Sequence, residues 1–281
     1  LHHKKQEVVF DASTSNADSF IKNVSIASKS NGESVIIGGD GRLNQIYLAL
    51  WASRNGITEE SLTEVTIFCI EEPEAHLHPQ LQNIFFNYLN KLDQVGFQIF
   101  VSSHSPTITA KADLDSLIVL HEQESEIATF SIRNSTLDDP NKEFLKKFLD
   151  VTKSQLFFAN GVMLVEGISE ALLIPVFSRI IGEDWCIDKM GVELVNLNGV
   201  AFEHFGKLFN SDDVVSRLNI RCAILTDDDR DVEGDISPRA VNAQELEGGL
   251  LKVLLAEKTF EIELFKAGQN RDVLLDIFKE M

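Results

Sequence analysis

The chain has 281 residues, of which 44% are hydrophobic, so it is long enough for one large or two ordinary domains and is not disordered in composition. Its 44 acidic and 25 basic residues give a formal charge of −19, which argues against a broad basic surface for nucleic acid but not against an acidic pocket that binds phosphates through metal ions. Three cysteines, and no apolar run near the ~18 residues that cross a bilayer, predict a cytoplasmic protein without disulfides or membrane spans.

A glycine turn is predicted in the stretch IIGGDGRLNQIYLALW. Gly38, Gly39 and Gly41 precede apolar residues at helical spacing, among them Leu43 and Ile46. Glycine backbone that leads into a helix N-terminus can bind phosphate, so this turn is a candidate phosphate contact. An ordinary loop is the alternative.

Two apolar strands follow, and each ends on polar side chains. The run from Val65 to Ile70 predicts a strand covered on both faces, and Glu71 and Glu72 come directly after it. Pro79 then begins a predicted helix, after which FQIFVSSHS predicts a strand that delivers His104 to a loop.

This order of elements resembles the ATP-binding-cassette ATPases. The resemblance implies that Glu71 helps to hold Mg²⁺, that Glu72 polarises the attacking water, and that His104 contacts the γ-phosphate of ATP. It also implies that Gly39 and Gly41 belong to the signature motif, which covers ATP bound to the opposite subunit. The family usually has Asp where Glu71 stands, and a structural histidine is the alternative for His104. Because the chain has no G-x-x-x-x-G-K-[ST] phosphate loop, we expect the later part of a longer ATPase, which does not hydrolyse ATP alone.

The second half alternates strands and helices, a rhythm typical of a parallel sheet. A predicted strand from Val162 to Val165 ends on Glu166, and a helix follows with Ser169 as its cap and Glu170 in its first turn. A turn is predicted before it at residues 138–141, with a helix at 143–151. Two more strands are predicted at residues 192–195 and 220–225. Ligands gather at the carboxyl ends of parallel strands, so the acids there are candidates for one site.

The last of these strands leads into Asp227, Asp228 and Asp229. Carboxylates ~4 Å apart repel by roughly 4 kcal/mol at an effective dielectric near 20, so such a cluster needs an offset. One interpretation is a solvated acidic turn. The other interpretation is a bound divalent metal. Because alternate residues that leave a strand point the same way, Asp227 and Asp229 would be its ligands and Asp228 would face away.

The motifs LVEGISE and LTDDDR, in that order, resemble the Toprim domain of topoisomerases, primases and some nucleases. Joined to an ATPase, they resemble the OLD family of ATP-dependent endonucleases, which includes the nuclease subunit of Gabija antiphage systems. The resemblance implies a two-metal site for Mg²⁺ or Mn²⁺, in which Glu166 is a ligand or the base that activates water. It implies that Glu170, Asp227 and Asp229 complete the metal coordination.

A further ligand of the second metal is implied in the stretch EKTFEIEL, where we select Glu261 over Glu263. The alternative is a strand with a solvated acidic face. OLD-type nucleases also use a basic residue further along, and no element of this chain matches it. The family also implies DNA as substrate, ATP in the complete protein, a homo-oligomer assembled through the ATPase domain, and a helicase-like or other defence partner.

We therefore predict an α/β protein. It has the C-terminal portion of an ABC-type ATPase domain at residues 1–140, a linker helix at 141–160, and a Toprim domain with a central parallel sheet flanked by helices at 161–281. The predicted function is a metal-dependent DNA endonuclease regulated by the ATPase domain. The alternative is a non-catalytic assembly module that binds nucleic acid or a partner. A topoisomerase needs a nucleophilic tyrosine, whereas Tyr47 and Tyr88 both lie in the ATPase-like half, and a primase would lack the attached ATPase.

Overall fold

The architecture is that of a computed structural model, which describes residues 7–12, 24–30, 33–36, 67–75, 77–93, 98–123, 126–199 and 202–280. The chain divides into two compact units, residues 1–103 and residues 104–281. The domain boundaries given above stay a prediction. The glycine turn predicted at Gly38, Gly39 and Gly41 lies outside the described residues, as does its helix. Within the described ranges, no helix is long and apolar enough to span a membrane.

The described part of the first unit contains two sheets. Antiparallel pairing joins β1 (Glu7–Ala12), β2 (Val24–Ser30) and β3 (Glu33–Ile36). Parallel pairing joins β4 (Ile67–Glu71) and β5 (Gln98–Ser102), and helix α1 (Pro79–Asp93) lies between them in the chain. The two predicted strands and the helix that begins at Pro79 are therefore confirmed, but β4 alternates exposed and half-buried residues and is not covered on both faces. In this register Glu71 pairs with Ser102, so the two strands end at the same edge.

The second unit begins with short helical and hairpin elements that precede its main sheet. These elements are α2 (Pro106–Thr109), the antiparallel pair β6 (Ile118–Gln123) and β7 (Glu126–Ser131), and α3 (Asp139–Phe148). The turn predicted at residues 138–141 is instead the start of α3. Asp138 is its N-cap, and the Asp138 carboxylate accepts a hydrogen bond from the backbone N–H of Asn141 at 2.9 Å. Helix α3 ends before the predicted position, and a 3₁₀ helix, Lys153–Phe158, follows.

A four-stranded parallel sheet forms the centre of the second unit. Its strands are β8 (Gly161–Val165), β9 (Val192–Asn196), β10 (Arg221–Asp227) and β11 (Leu251–Ala256). Their order in the sheet is β11, β10, β8, β9. The predicted parallel sheet is confirmed. Leu225 pairs with Val165, and Asp227 pairs with Ala256, so the residues that follow β8 and β10 meet at one edge.

Helices flank this sheet. They are α4 (Ile168–Ile181), α5 (Ile187–Met190), α6 (Phe202–Gly206), α7 (Pro238–Gln244), α8 (Phe260–Lys266) and α9 (Asn270–Glu280). Leu164 of β8, Ile224 of β10 and Leu251 of β11 belong to one buried core. Because apolar strands of a parallel sheet are covered on both faces, their burial fixes the point at which Glu166 leaves the sheet.

Candidate metal centre

Strand β8 and helix α4 supply two acids. Glu166 follows β8 directly, and its carboxylate accepts one hydrogen bond from the Thr226 hydroxyl at 2.8 Å and another from Arg239. Glu170 lies in the first turn of α4 and is only 5% exposed. Among the described residues, no donor forms a hydrogen bond to the Glu170 carboxylate. Because no described donor occupies this carboxylate, its oxygens are available to a cation.

The start of α4 differs from the prediction, in which Ser169 caps the helix. Gly167 is the N-cap, and it has no side chain with which to accept a hydrogen bond. The Ser169 hydroxyl instead donates to Glu261 Oε1 at 2.8 Å. This contact joins the first turn of α4 to the first turn of α8 and places Glu261 beside the residue that precedes Glu170.

The stretch that contains Glu261 and Glu263 is helical, so the alternative of a strand with a solvated acidic face is wrong. Thr259 is the N-cap of α8, and its hydroxyl accepts a hydrogen bond from the backbone N–H of Ile262 at 3.3 Å. Glu263 Oε1 accepts a hydrogen bond from the backbone N–H of Glu257 at 3.1 Å. The two glutamates therefore have different partners, and Glu261 is the one that contacts α4.

Asp228 is a structural residue of the loop after β10. It is 1% exposed, and its carboxylate accepts hydrogen bonds from Arg230 Nε at 2.8 Å and from the backbone N–H of Lys258 at 2.7 Å. The hydrogen bond from the Arg230 guanidinium lowers the pKa of Asp228 to about 2, with the backbone N–H groups of Arg230 and Lys258 acting in the same direction. Asp228 is thus held in its charged form by contacts within its own loop and with the loop that follows β11.

Asp227 and Asp229 lie on either side of this residue. Asp227 ends β10, and its Oδ1 accepts a hydrogen bond from the backbone N–H of Phe260 at 2.8 Å. Asp229 has a φ of 45°, in the left-handed region, and its backbone N–H donates to the carbonyl of Lys258 at 3.1 Å. The loop therefore turns sharply directly after Asp228.

The environment of Asp227 shows that the acids lie near one another. Burial first, and then the negative charges of Glu166, Glu170 and Asp229, raise the pKa of Asp227 to about 6 against the opposing hydrogen bond from Phe260. Glu166, Glu170, Asp227 and Asp229 are called the acidic cluster below. The structure brings these four predicted residues to one edge of the sheet from β8, α4 and the loop after β10.

Arg239 is a member of this region that sequence reasoning missed. The same guanidinium nitrogen donates to Glu166 Oε1 and lies 3.2 Å from Asp229 Oδ2. The pair Ser237 and Pro238 is a recognisable helix start, and α7 does begin there. No local pattern, however, relates Arg239 to an acid that lies 73 positions earlier in the chain. Thr226 was missed for the same reason, since its hydroxyl bonds across the sheet to Glu166.

The donor set fits a divalent cation. Carboxylate oxygens are the ligands that Mg²⁺ takes from proteins, and the cluster supplies four carboxylates. The hydrogen bond from Ser169 lowers the pKa of Glu261, which favours the charged form of this fifth carboxylate. Glu170, which is 5% exposed and has no described donor, offers its carboxylate to such a cation.

The carboxylates of the acidic cluster nevertheless lie further apart than the ligands of a closed metal site. Within the described ranges, the three carboxylates that come within 4.8 Å of one another are those of Asp231, Glu233 and Asp235, in an exposed loop. The Asp231 carboxylate there accepts hydrogen bonds from three backbone N–H groups of its own turn. The turn itself therefore explains why these three acids lie close together. In the acidic cluster, by contrast, the guanidinium of Arg239 lies between Glu166 and Asp229.

The predicted nucleotide-binding residues are described only in part. Glu71 ends β4, and Glu72 has a φ of 41° and donates its backbone N–H to the carbonyl at the end of β5 at 2.9 Å. Gly39 and Gly41 lie outside the described residues, and His104 belongs to the second compact unit. The predicted contacts of these residues with ATP stay predictions.

Comparison with known proteins gives two family matches and several relatives. Residues 39–109 match the AAA ATPase domain, and residues 157–229 match the TOPRIM domain of proteins like the overcoming lysogenization defect protein. The chain is 27% identical over 199 residues to the Old nuclease of Escherichia phage P2, covering 68% of this chain and 33% of that protein. It is 27% identical over 231 residues to the endonuclease GajA of Bacillus cereus strain VD045, covering 80% of this chain and 37% of that protein. The C-terminal region of the Burkholderia pseudomallei OLD protein, a solved structure, is 27% identical, with 44% of this chain and 66% of that chain covered and a TM-score of 0.37.

The matches coincide with the regions that carry the predicted site residues. All four members of the acidic cluster lie within the TOPRIM match, and Glu261 lies beyond it. The chain spans about a third of the length of these curated relatives. An AAA ATPase match followed by an OLD-like TOPRIM match is the arrangement in which this chain resembles the OLD nucleases.

Proposed function

We propose that this chain carries the nuclease site of a divalent-metal-dependent DNA endonuclease of the OLD type. The observation that carries the proposal is the acidic cluster at the edge of the parallel sheet. Its buried Glu170 has no described donor, and the pKa of Asp227 is raised to about 6. Such a concentration of negative charge in a partly buried place is stabilised by cations between the carboxylates. The nuclease names of the relatives agree with this chemistry.

The residues of the cluster divide the work of phosphodiester hydrolysis. The carboxylates that would hold Mg²⁺ or Mn²⁺ are those of Glu170, Asp227, Asp229 and Glu261. When bound, a pair of these ions supplies charge stabilisation for the attacking and leaving oxygens of an in-line displacement. Glu166 serves as a ligand or as the base. As the base, it takes a proton from the attacking water while the water oxygen bonds to phosphorus and the bond to the leaving sugar oxygen breaks. The Thr226 hydroxyl, bonded to Glu166, orients this carboxylate.

The ATPase region is proposed to regulate this site. Its support is the AAA ATPase match that precedes the TOPRIM match. In the complete protein, Glu71 would help to hold Mg²⁺, Glu72 would polarise the attacking water and His104 would contact the γ-phosphate. The signature glycines Gly39 and Gly41 would cover ATP bound to another copy, which requires a homo-oligomer. By family resemblance, the biological setting would be antiphage defence with a helicase-like or other partner. The buried free thiols of Cys186 and Cys222 are compatible with a reducing cytoplasm.

Cleavage of supercoiled plasmid by the full-length protein tests the proposal. We expect nicking or cutting in Mg²⁺ or Mn²⁺, inhibition by a chelator, and loss of cleavage in Glu166→Ala and Asp227→Ala with an unchanged circular dichroism spectrum. The control is Asp188→Ala, which removes an exposed partner of Arg179 in the same unit. Metal-dependent cleavage that survives in both cluster variants would overturn the proposal.

The assembly-module alternative is separated by calorimetric titration with Mn²⁺. The nuclease proposal requires Mn²⁺ binding that is lost when Asp227 and Asp229 are both changed to Asn. Binding that is absent, or indifferent to this double substitution, would favour a module that binds nucleic acid or a partner without cleaving.

A further inference from the structure

Arg239 places a positive charge of the chain itself inside the acidic cluster. Its guanidinium donates to Glu166 Oε1 and lies 3.2 Å from Asp229 Oδ2. These two acids come from different places, the end of β8 and the loop after β10. Arg239 therefore bridges the two sides of the cluster.

The position of Arg239 is set by the loop after β10, which carries Asp228 and Asp229. Ser237 is the N-cap of α7, and its side chain accepts a hydrogen bond from the backbone N–H of Ala240 at 3.2 Å. The backbone N–H of Ser237 donates to the carbonyl of Asp228 at 2.9 Å. The first turn of α7 is thus tied to the loop that carries Asp229, and the Arg239 side chain extends from this turn to Glu166.

With Arg239 in this position, Glu166 is satisfied without a metal. One of its carboxylate oxygens accepts from Arg239 and the other from the Thr226 hydroxyl. The guanidinium also offsets part of the repulsion between Glu166 and Asp229, since opposite charges a few ångströms apart attract. A divalent cation that binds the same carboxylates would compete with Arg239 for them.

The surroundings give the guanidinium room to leave. A cleft of about 580 Å³ lies beside Thr226 and Arg239 and is also lined by Asn210 and Asn242. The Arg239 side chain is 42% exposed, so solvent reaches it. A long, flexible side chain at the edge of such a cleft can move without any change in the fold of α7.

We propose that Arg239 is a positioning residue that acts as an internal counter-cation, holding Glu166 and Asp229 in the metal-free protein until a divalent ion displaces it. This inference rests on the proposed function, because it assumes that the acidic cluster binds the metal. Its consequence is that Arg239 stabilises the metal-free protein and weakens metal binding. A residue with a merely structural role would not produce these two opposite effects.

Mn²⁺ titration of the chelator-treated full-length protein tests this inference. We expect Arg239→Gln to bind Mn²⁺ about fivefold to thirtyfold more tightly, because two half-exposed charge pairs no longer compete with the metal. The metal-free variant should unfold at a lower temperature than the wild type, and added Mn²⁺ should raise its unfolding temperature by more. Arg239→Lys, which keeps the charge without the forked donors, should lie between the two.

The control is Arg179→Gln, which breaks an exposed Arg–Asp pair elsewhere in the same unit and should leave Mn²⁺ affinity unchanged. Equal or weaker Mn²⁺ binding by Arg239→Gln, in a protein whose Mn²⁺ binding is still lost in Asp227→Asn, overturns the role of Arg239 alone. If the wild type binds no Mn²⁺, or if Asp227→Asn binds it normally, the proposed metal site fails and this inference fails with it.

Discussion

Asp228 and Lys258 join the loops that follow two neighbouring strands, since the backbone N–H of Lys258 donates to Asp228 Oδ1 at 2.7 Å. The other oxygen of Asp228 accepts from the Arg230 guanidinium, which is the main reason that the pKa of Asp228 is lowered to about 2. A buried carboxylate with this many donors stabilises the fold only while it is charged. The loop that presents Asp227 and Asp229 therefore depends on the ionisation of the residue between them.

Asp228→Asn should destabilise the protein at neutral pH. We expect a loss on the order of 1 to 2 kcal/mol, which allows for the solvent screening of the partly exposed Arg230. Because the folded pKa is lowered, the contribution of Asp228 is present above the unfolded pKa of ~4 and is lost as the pH falls towards the folded pKa. Urea unfolding at a series of pH values should show the gap between variant and wild type closing below ~pH 4.

The matched control for this prediction is Asp188→Asn. Asp188 and its partner Arg179 are both more than half exposed. Exposed pairs contribute about 0 to 1 kcal/mol, so this control should have little effect on the urea midpoint. A loss in Asp228→Asn that stayed constant down to acid pH would contradict the assigned role of the charge.

Asp227→Asn should have the opposite effect on the metal-free protein. Burial, followed by the charges of Glu166, Glu170 and Asp229, raises the pKa of Asp227 to about 6. The folded state therefore binds this proton more tightly than the unfolded state, and stability is lost as the pH rises from ~4 to the folded pKa. Above that pH the uncharged variant should be more stable than the wild type by about 1 to 2 kcal/mol, after screening.

Thermal unfolding in excess chelator, at acid and at neutral pH, measures this difference. Near ~pH 3, where the wild-type carboxyl is mostly protonated in both states, the two proteins should unfold at similar temperatures. The comparison with Asp228→Asn is internal, because the two substitutions are adjacent and chemically identical. A variant of Asp227 that is less stable than the wild type at neutral pH would show that its charge is not opposed by its surroundings.

The strand ends of the second unit could be predicted from local sequence. Continuous apolar runs before Glu166 and Asp227 indicated buried parallel strands, and such strands deliver the residues that follow them to one edge. The TOPRIM motifs lie on these two strand ends, so pattern and fold agree there. This part of the site was predictable because each acid directly follows its own apolar strand in the chain.

The remaining contacts depend on residues that meet only in the folded protein. FEIEL alternates apolar and acidic residues as a half-exposed strand does, yet Thr259 begins a helix there. Ser169 fits the preference for serine at helix starts, yet its hydroxyl bonds Glu261 on another helix. Arg239 reaches an acid across 73 positions. Hydrophobic periodicity carries no information about such pairs of polar side chains.

Glu170→Gln should weaken metal binding without harming the metal-free fold. The carboxylate is 5% exposed and has no hydrogen-bond donor among the described residues, so its charge gains little in the absence of a cation. We expect the Mn²⁺ affinity measured by calorimetry to fall by about tenfold or more, which is the typical effect of losing a metal ligand or a residue that hydrogen-bonds to one. The unfolding temperature in chelator should stay equal or rise.

The control for Glu170 is Glu183→Gln, near the other end of α4. Glu183 is an exposed residue paired with Lys189, and its substitution should leave Mn²⁺ binding unchanged. If Glu170→Gln unfolds at a lower temperature than the wild type in chelator, Glu170 stabilises the metal-free fold, which would contradict this prediction.

The choice between Glu261 and Glu263 can be made by comparing three variants. Ser169 donates to Glu261 and adjoins Glu170, whereas Glu263 accepts from Glu257. We therefore expect Glu261→Gln to reduce the Mn²⁺ stoichiometry from about two ions to about one, with Glu263→Gln as the matched control that leaves it unchanged. Ser169→Ala should weaken the second ion several-fold, because the carboxylate loses the donor that orients it. A larger effect for Glu263 than for Glu261 would reverse the assignment, since the contact with α4 would then not mark the ligand.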